Sequence, residues 1–303
     1  MTIVRRTFLV LTAATIASPA LALGGRSHGR IEALTEFSDA DSVVPRVRVF
    51  LPAGYDTNEQ RYKTLYLLDG QYAFEGDSDG ISFEADRRLT RLVDAGTIQP
   101  TIIVAIDNLG SDRFLQYMPE CIYERASPEV RSTVEREIER VGATSLSSTT
   151  FIEFLKYQLK PYIDTNYRTS SNRLDTAIFG ASMAGVMSGA IFVEAQETFG
   201  LGASMSPNWA IYDERFVDHP SLPELWRDYF SLLGPPEGRR FWLDHGTQMM
   251  DAGMVPHQLA IAEAMTNLGW QRGCNIQTRV YDAGHAFAQT AVQMDEVLAW
   301  LLA

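Results

Sequence analysis

The chain has 303 residues, of which 46% are hydrophobic and 21% charged, ordinary figures for a globular protein and enough length for one large domain or two small ones. A net charge of -12 repels phosphate backbones and anionic lipid, which argues against nucleic acid as a partner. Its two cysteines, Cys121 and Cys274, belong to no CxxC pair or Cys/His cluster, so structural zinc is not expected and two free thiols are.

The first 23 residues read as a processing segment. Arg5-Arg6 precede an apolar run from Phe8, and Ala20-Leu21-Ala22 supplies an A-x-A cleavage pattern. "RRTFL" is similar to a twin-arginine signal, with Val4 in place of the usual serine; an ordinary Sec signal is the alternative. Either route implies a periplasmic or secreted protein. No later run is long and apolar enough to span a bilayer.

Residues 24–303 then alternate strand and helix signals. "PRVRVFLP" alternates apolar and polar residues, as a half-buried strand does. "TLYLLDG" and "TIIVAIDN" are continuously apolar, as strands covered on both faces are. Between them, Phe83, Leu89, Leu92 and Val93 fall at helical spacing, with Gly96 as a stop. The acidic stretch Glu75–Asp86 has the spacing of a calcium loop but the wrong residues at its first and last positions, so no metal is expected there. "SPEVRSTVEREIERVG" predicts a charged helix with a narrow stripe of Val130, Val134, Ile138 and Val141, either a lid or a plain surface helix. Thr150 with Glu153 predicts a capping box at the head of the next helix. The strand Thr176–Phe179, a helix through "MAGVMSGAIFVEAQETF", and the strands "GLGASMS", "RRFWLDHG" and "NIQTRVYDAG" with helices between them complete one doubly wound, mostly parallel α/β domain.

Four features point to acyl-transfer chemistry. Ser182, in "FGASMAG", lies between a strand and a helix among small residues, where a strained turn exposes a serine Oγ above the sheet's carboxyl edge. His285, in "YDAGHAF", follows the last strand, the place for a base. Asp251, beyond the penultimate strand, is the candidate acid that orients the imidazole, with Asp244 as its rival. The backbone N–H groups of Met183 and Gln71 are candidates for an oxyanion hole. Asn108, Arg113, Tyr117 and Trp209 fall near predicted strand ends, where they are candidates to line the pocket; Arg113 suits a structural ion pair equally well, and Asn108 and Trp209 are the candidates to touch substrate.

"RVRVFLPAGYD", "YKTLYLLDGQ", "AIDNLGSDRFLQYMP", "FLKYQLKPYIDTNYRT", "FGASMAG", "MSPNW", "FWLDHGTQ" and "DAGH", in that order, resemble the esterase family of α/β-hydrolases. That family includes enterochelin and other siderophore esterases, feruloyl and acetyl-xylan esterases, S-formylglutathione hydrolases and mycolyltransferases. The resemblance implies an α/β-hydrolase fold and a Ser-His-acid triad. It also implies a small-molecule, glycan or siderophore ester as substrate, and no metal or organic cofactor. The chain departs from the family pattern twice: Ala184 replaces a glycine, and Met249 stands where many members carry the acid. Asp251 serves as acid if the loop is longer; otherwise a Ser-His dyad is the alternative. An acyltransferase, or a binding protein that kept the fold, would share most of these features.

Overall fold

Continuously apolar strands need a layer of helices on each side, and the chain provides them. A computed structural model describes residues 29–35, 37, 45–75, 80–212 and 217–303. Residues 1–23, the expected signal segment, and residues 76–79 of the acidic loop lie outside the described residues. The strands β1 (Arg30–Leu34), β2 (Val47–Leu51), β3 (Lys63–Leu68), β4 (Thr101–Ile106), β5 (Thr176–Ala181), β6 (Leu201–Met205), β7 (Arg240–Gly246) and β8 (Ile276–Tyr281) form one eight-stranded sheet. Its order is β1-β2-β4-β3-β5-β6-β7-β8. The β1–β2 and β2–β4 pairs are antiparallel, and every pair from β4 to β8 is parallel. This is the α/β-hydrolase architecture the sequence implies.

Side chains alternate across the pleat. Tyr66 and Leu68 join the larger core on one face, whereas Leu65 and Leu67 join a second core on the other. The helices Ala85–Asp94 and Phe287–Leu302 supply the second core; the helices between residues 113 and 267 supply the larger one. Each fully buried Leu, Ile or Phe in these layers contributes roughly 1.5–3 kcal/mol relative to exposure. β1 carries no clear sequence signal, because it is a short outer strand with Ile31 partly in water.

The charged helix forms over Pro128–Arg140, with the Ser127 side chain accepting from the Val130 N–H. Val130, Val134 and Ile138 are buried in the larger core, so this helix is part of the packed layer rather than a lid over the sheet edge. The capping box at Thr150 and Glu153 does not form. The helix begins at Ser148, which puts Thr150 inside its first turn. Glu120 takes over instead: its N–H donates to Ser148 Oγ at 2.9 Å, and its carboxylate accepts from Thr149 Oγ1 at 2.8 Å. Cys121 and Cys274 are free, Cys121 lying against Glu194 and Cys274 at the surface.

Candidate active site

Parallel strands all end on the same edge, so the loops that follow them converge there. Six of these loops, those after β3 to β8, build the site. Ser182 is the single residue between β5 and the helix Met183–Glu194, and its backbone is strained at φ 58 and ψ -126. Its N–H donates to the Met205 carbonyl at 3.0 Å, and its carbonyl accepts the first helical bond from Val186 at 3.1 Å. Gly180 is the glycine this turn requires, since a Cβ there would stand 2.1 Å from the Ala184 carbonyl oxygen. The tight approach therefore falls on position 180, and the methyl of Ala184 is accommodated in a fully buried site. This accounts for the first departure from the family pattern.

His285 follows β8 and reaches back along the sheet edge. Its Nε2 lies 2.8 Å from Ser182 Oγ, and its Nδ1 lies 2.6 Å from Asp251 Oδ1. Asp251 sits on a short helical turn, Met249–Met254, after β7. That turn accounts for the second departure: the Met249 side chain is largely exposed, while Asp251 is carried inward to accept the Gly246 N–H at 3.0 Å. Gly246 has no room for a side chain, because a Cβ would meet the Ala283 carbonyl oxygen at 2.1 Å. Burial raises the Asp251 carboxyl, but hydrogen bonds from His285, Ser206 and Gly246 outweigh it and hold the group below its ordinary value. An ionised carboxylate only accepts, so the bond to Asp251 puts the proton on Nδ1. In the neutral ring Nε2 is then bare and accepts the Ser182 hydroxyl.

Asp244 is placed apart from the imidazole. Fully buried at the end of β7, it accepts the Ser206 N–H at 2.7 Å and the Trp242 indole N–H at 2.6 Å. Burial pushes its carboxyl up to about 7, despite the two donors.

A cleft of about 330 Å³ opens over Ser182 and His285. Tyr72, Phe83 and Phe287 make an aromatic wall, with Phe287 centred 5.5 Å from Tyr72 and 4.4 Å from Phe83. Phe83 lies before the helix Ala85–Asp94 rather than on it, because Glu84 adopts a left-handed conformation at φ 46. Asp69 and Arg113 form the polar part of the lining.

The loop after β3 is fastened at several points. Asp69 is left-handed at φ 56, and its N–H donates to the Tyr117 hydroxyl at 3.2 Å. Its carboxylate accepts Arg113 Nη2 at 2.7 Å, Arg113 Nε at 3.0 Å and Asn108 Nδ2 at 2.7 Å. Arg48 Nη2 donates to the Gly70 carbonyl at 2.6 Å, and Gln71 Oε1 accepts the Asn108 N–H at 3.1 Å. The short turn that follows is closed by the N–H groups of Tyr72 and Ala73, so the Gln71 N–H takes part in neither closure. Met183, as the first residue of its helix, has an N–H with no carbonyl one turn earlier in helical position.

With this geometry in view, the family description "Putative esterase" matches residues 43–301. The chain belongs to that esterase family. It is 26% identical over 184 residues to an endo-1,4-beta-xylanase/feruloyl esterase of Xylanibacter ruminicola, a stretch of 59% of this chain and 22% of the relative. The chain thus matches about a fifth of that relative's length. It also superposes on a ferulic acid esterase from Anaeromyces mucronatus solved with ferulic acid, at TM-score 0.59 and 18% identity, covering 90% of each chain. The enterobactin esterase of Shigella flexneri gives TM-score 0.59 at 18% identity, covering 90% of this chain and 59% of that one.

Within the fold this esterase shares with them, Trp209 does not sit where substrate contact requires, whereas Asn108 stands half-buried beside the cleft-lining Asp69. The Asn108 side chain donates to Asp69 at 2.7 Å. Trp209 is fully buried against Trp226 and Phe230, with its ring close against Gly189 in the middle of the helix Met183–Glu194. Position after a strand locates a residue at the sheet edge but not the direction of its side chain. Arg113 lies where its place after β4 puts it, in the lining and paired with Asp69, whereas two contributors carry no motif in the sequence: the aromatic wall, and Ser206, which touches both Asp251 and His285. Phe287 and Ser206 stand inside the quoted stretches "YDAGHAF" and "MSPNW", but neither stretch tells which way those side chains point.

Proposed function

We propose that this protein is an exported serine carboxylic-ester hydrolase whose mature part is residues 24–303. The observation that carries the reading is the unbroken chain of contacts Asp251 Oδ1, His285 Nδ1, His285 Nε2 and Ser182 Oγ at the floor of the cleft. Ser182 attacks the ester carbonyl while His285 Nε2 takes its proton. Asp251 holds the ring in the tautomer this needs and balances the imidazolium that forms. The backbone N–H groups of Met183 and Gln71 receive the oxyanion, the second of them kept in place by the clamped Asp69 loop. His285 then protonates the leaving alcohol. Water, activated by the same nitrogen, releases the acid from the acyl-enzyme.

The aromatic wall supports an ester with an aromatic acyl group, and ferulic acid, bound in the Anaeromyces mucronatus neighbour, is an aromatic acid of that kind. A fluorophosphonate probe should label the parent protein and fail to label Ser182→Ala. On a panel of aryl esters with acetyl, butyryl, benzoyl and hydroxycinnamoyl groups, kcat/KM should be highest for the two aromatic acyl groups. A clear preference for acetyl would overturn the acyl-group assignment while leaving the hydrolase reading in place.

Export rests on Arg5-Arg6 and the moderately apolar run that follows them. Only two cysteines, both free in the fold, suit a protein that folds in a reducing cytosol before it crosses a membrane. Among the described residues, no helix is long and apolar enough to span a bilayer. N-terminal sequencing of the fractionated protein should find a mature chain starting near Leu23 outside the cytosol. Replacing Arg5-Arg6 with Lys-Lys should stop secretion; unchanged secretion would assign export to the Sec route, and an intact Met1 on cytosolic protein would refute export.

A further inference from the structure

Behind the Ser-His-Asp contacts lies a second, fully enclosed pair of polar groups that the mechanism above does not use. Ser206 follows β6 in a left-handed conformation at φ 38, a costly backbone for a residue other than glycine. Its side chain is aimed inward. The hydroxyl donates to Asp251 Oδ2 at 2.5 Å, and its oxygen lies 3.0 Å from His285 Nδ1. One hydroxyl thus bridges acid and base, with its O–H directed at the Asp251 carboxylate and a lone pair toward the ring. The left-handed turn is anchored from the neighbouring strand, because the Ser206 N–H donates to Asp244 Oδ1 at 2.7 Å. Asp244 is itself fixed by the Trp242 indole, 2.6 Å from its other oxygen. The same segment is tied to the nucleophile: the carbonyl of Met205 accepts the Ser182 N–H at 3.0 Å.

We propose that Ser206 is a positioning residue for the acid–base pair, held in register by Asp244. This rests on the reading of Ser182, His285 and Asp251 as the catalytic groups. Without the hydroxyl, Asp251 keeps only His285 and Gly246 as donors, and its carboxylate is free to rotate about its side-chain bonds. The Nδ1 proton also loses its second acceptor. Both changes loosen the imidazole at the moment it becomes charged, when its position over Ser182 Oγ decides the rate. Ser206 is almost entirely buried and does not line the cleft, so substrate binding is untouched.

The test compares Ser206→Ala and Ser206→Cys with the parent full-length protein on one aryl ester. Ser206→Ala should lower kcat on the order of tenfold to a hundredfold, the scale of a small misplacement of a catalytic group, with KM within about twofold. Ser206→Cys, which restores a weak donor of similar shape, should recover part of the loss. The downfield proton resonance of His285 Nδ1, identified by its absence in His285→Asn, should shift in Ser206→Ala. If Ser206→Ala does not fold, the Ser206→Cys kinetics and resonance decide the question alone. A kcat within twofold of the parent in the folded Ala variant, or in the Cys variant together with an unmoved resonance, overturns the proposal. If Ser182→Ala is inactive while Ser206→Ala is silent, only this proposal fails; if Ser182→Ala retains activity, the hydrolase reading itself fails.

Discussion

Ser182→Ala should reduce aryl-ester hydrolysis to background, a loss of order a millionfold in kcat, while the melting temperature moves by no more than a few degrees. The size of the effect follows from the chemistry. His285 Nε2 would have no hydroxyl to deprotonate, and no acyl-enzyme could form. What survives is whatever the backbone donors and the cleft do for attack by water, about a thousandfold to ten thousandfold over solution. Stability is little affected because the Ser182 hydroxyl sits at the floor of an open cleft and bonds only His285. The strain of the turn is backbone strain at φ 58, which alanine inherits unchanged. Steady-state kinetics and thermal melts on the same preparation check both halves. Activity well above background would remove Ser182 as the nucleophile and with it the hydrolase reading.

The sequence announces some of these features and conceals others, for identifiable reasons. Ser182 is legible because the turn it needs constrains its neighbours: Gly180 must lack a side chain, and a strand and a helix must meet there. His285 is legible from its place after the final strand, and Asp251 from its place after β7 once the longer loop is allowed. The sheet itself reads out in its continuous apolar runs, except for β1, which is outermost and mostly exposed. Ser206 is illegible because a serine after a strand is unremarkable in sequence; only the fold brings it against Asp251 and His285. Trp209 misleads in the opposite way, and Asn108 shows the same limit of position alone. Both stand at the correct edge, but one turns into the larger core and the other toward Asp69. The Thr150–Glu153 spacing misleads because Glu120, distant in sequence, supplies the competing hydrogen bonds at that helix start.

Asp251→Asn should lower kcat by about ten thousandfold, and Asp244→Asn by no more than about tenfold to a hundredfold, although both carboxylates are buried close to the end of β7. The difference lies in what each touches. Asp251 faces His285 Nδ1 directly at 2.6 Å. An asparagine there can turn its NH₂ toward the ring and its oxygen toward Ser206 and Gly246, which offer two donors to satisfy. The ring then protonates on Nε2 and leaves Nδ1 bare to accept, so Nε2 can no longer take the serine proton. Geometry is nearly preserved and the tautomer is wrong, which is why the loss is large and the fold intact. Asp244 makes no contact with the imidazole and acts only through the Ser206 N–H. Its asparagine keeps one acceptor for two N–H donors, so either Ser206 or Trp242 faces an NH₂ group. That displaces Ser206 slightly and leaves the tautomer of His285 unchanged. Parallel kcat/KM measurements on the two variants, with circular dichroism to establish folding, separate the cases. A loss in Asp244→Asn equal to or greater than that in Asp251→Asn would make Asp251 the wrong acid. Small losses in both would leave Ser182 and His285 working as a dyad.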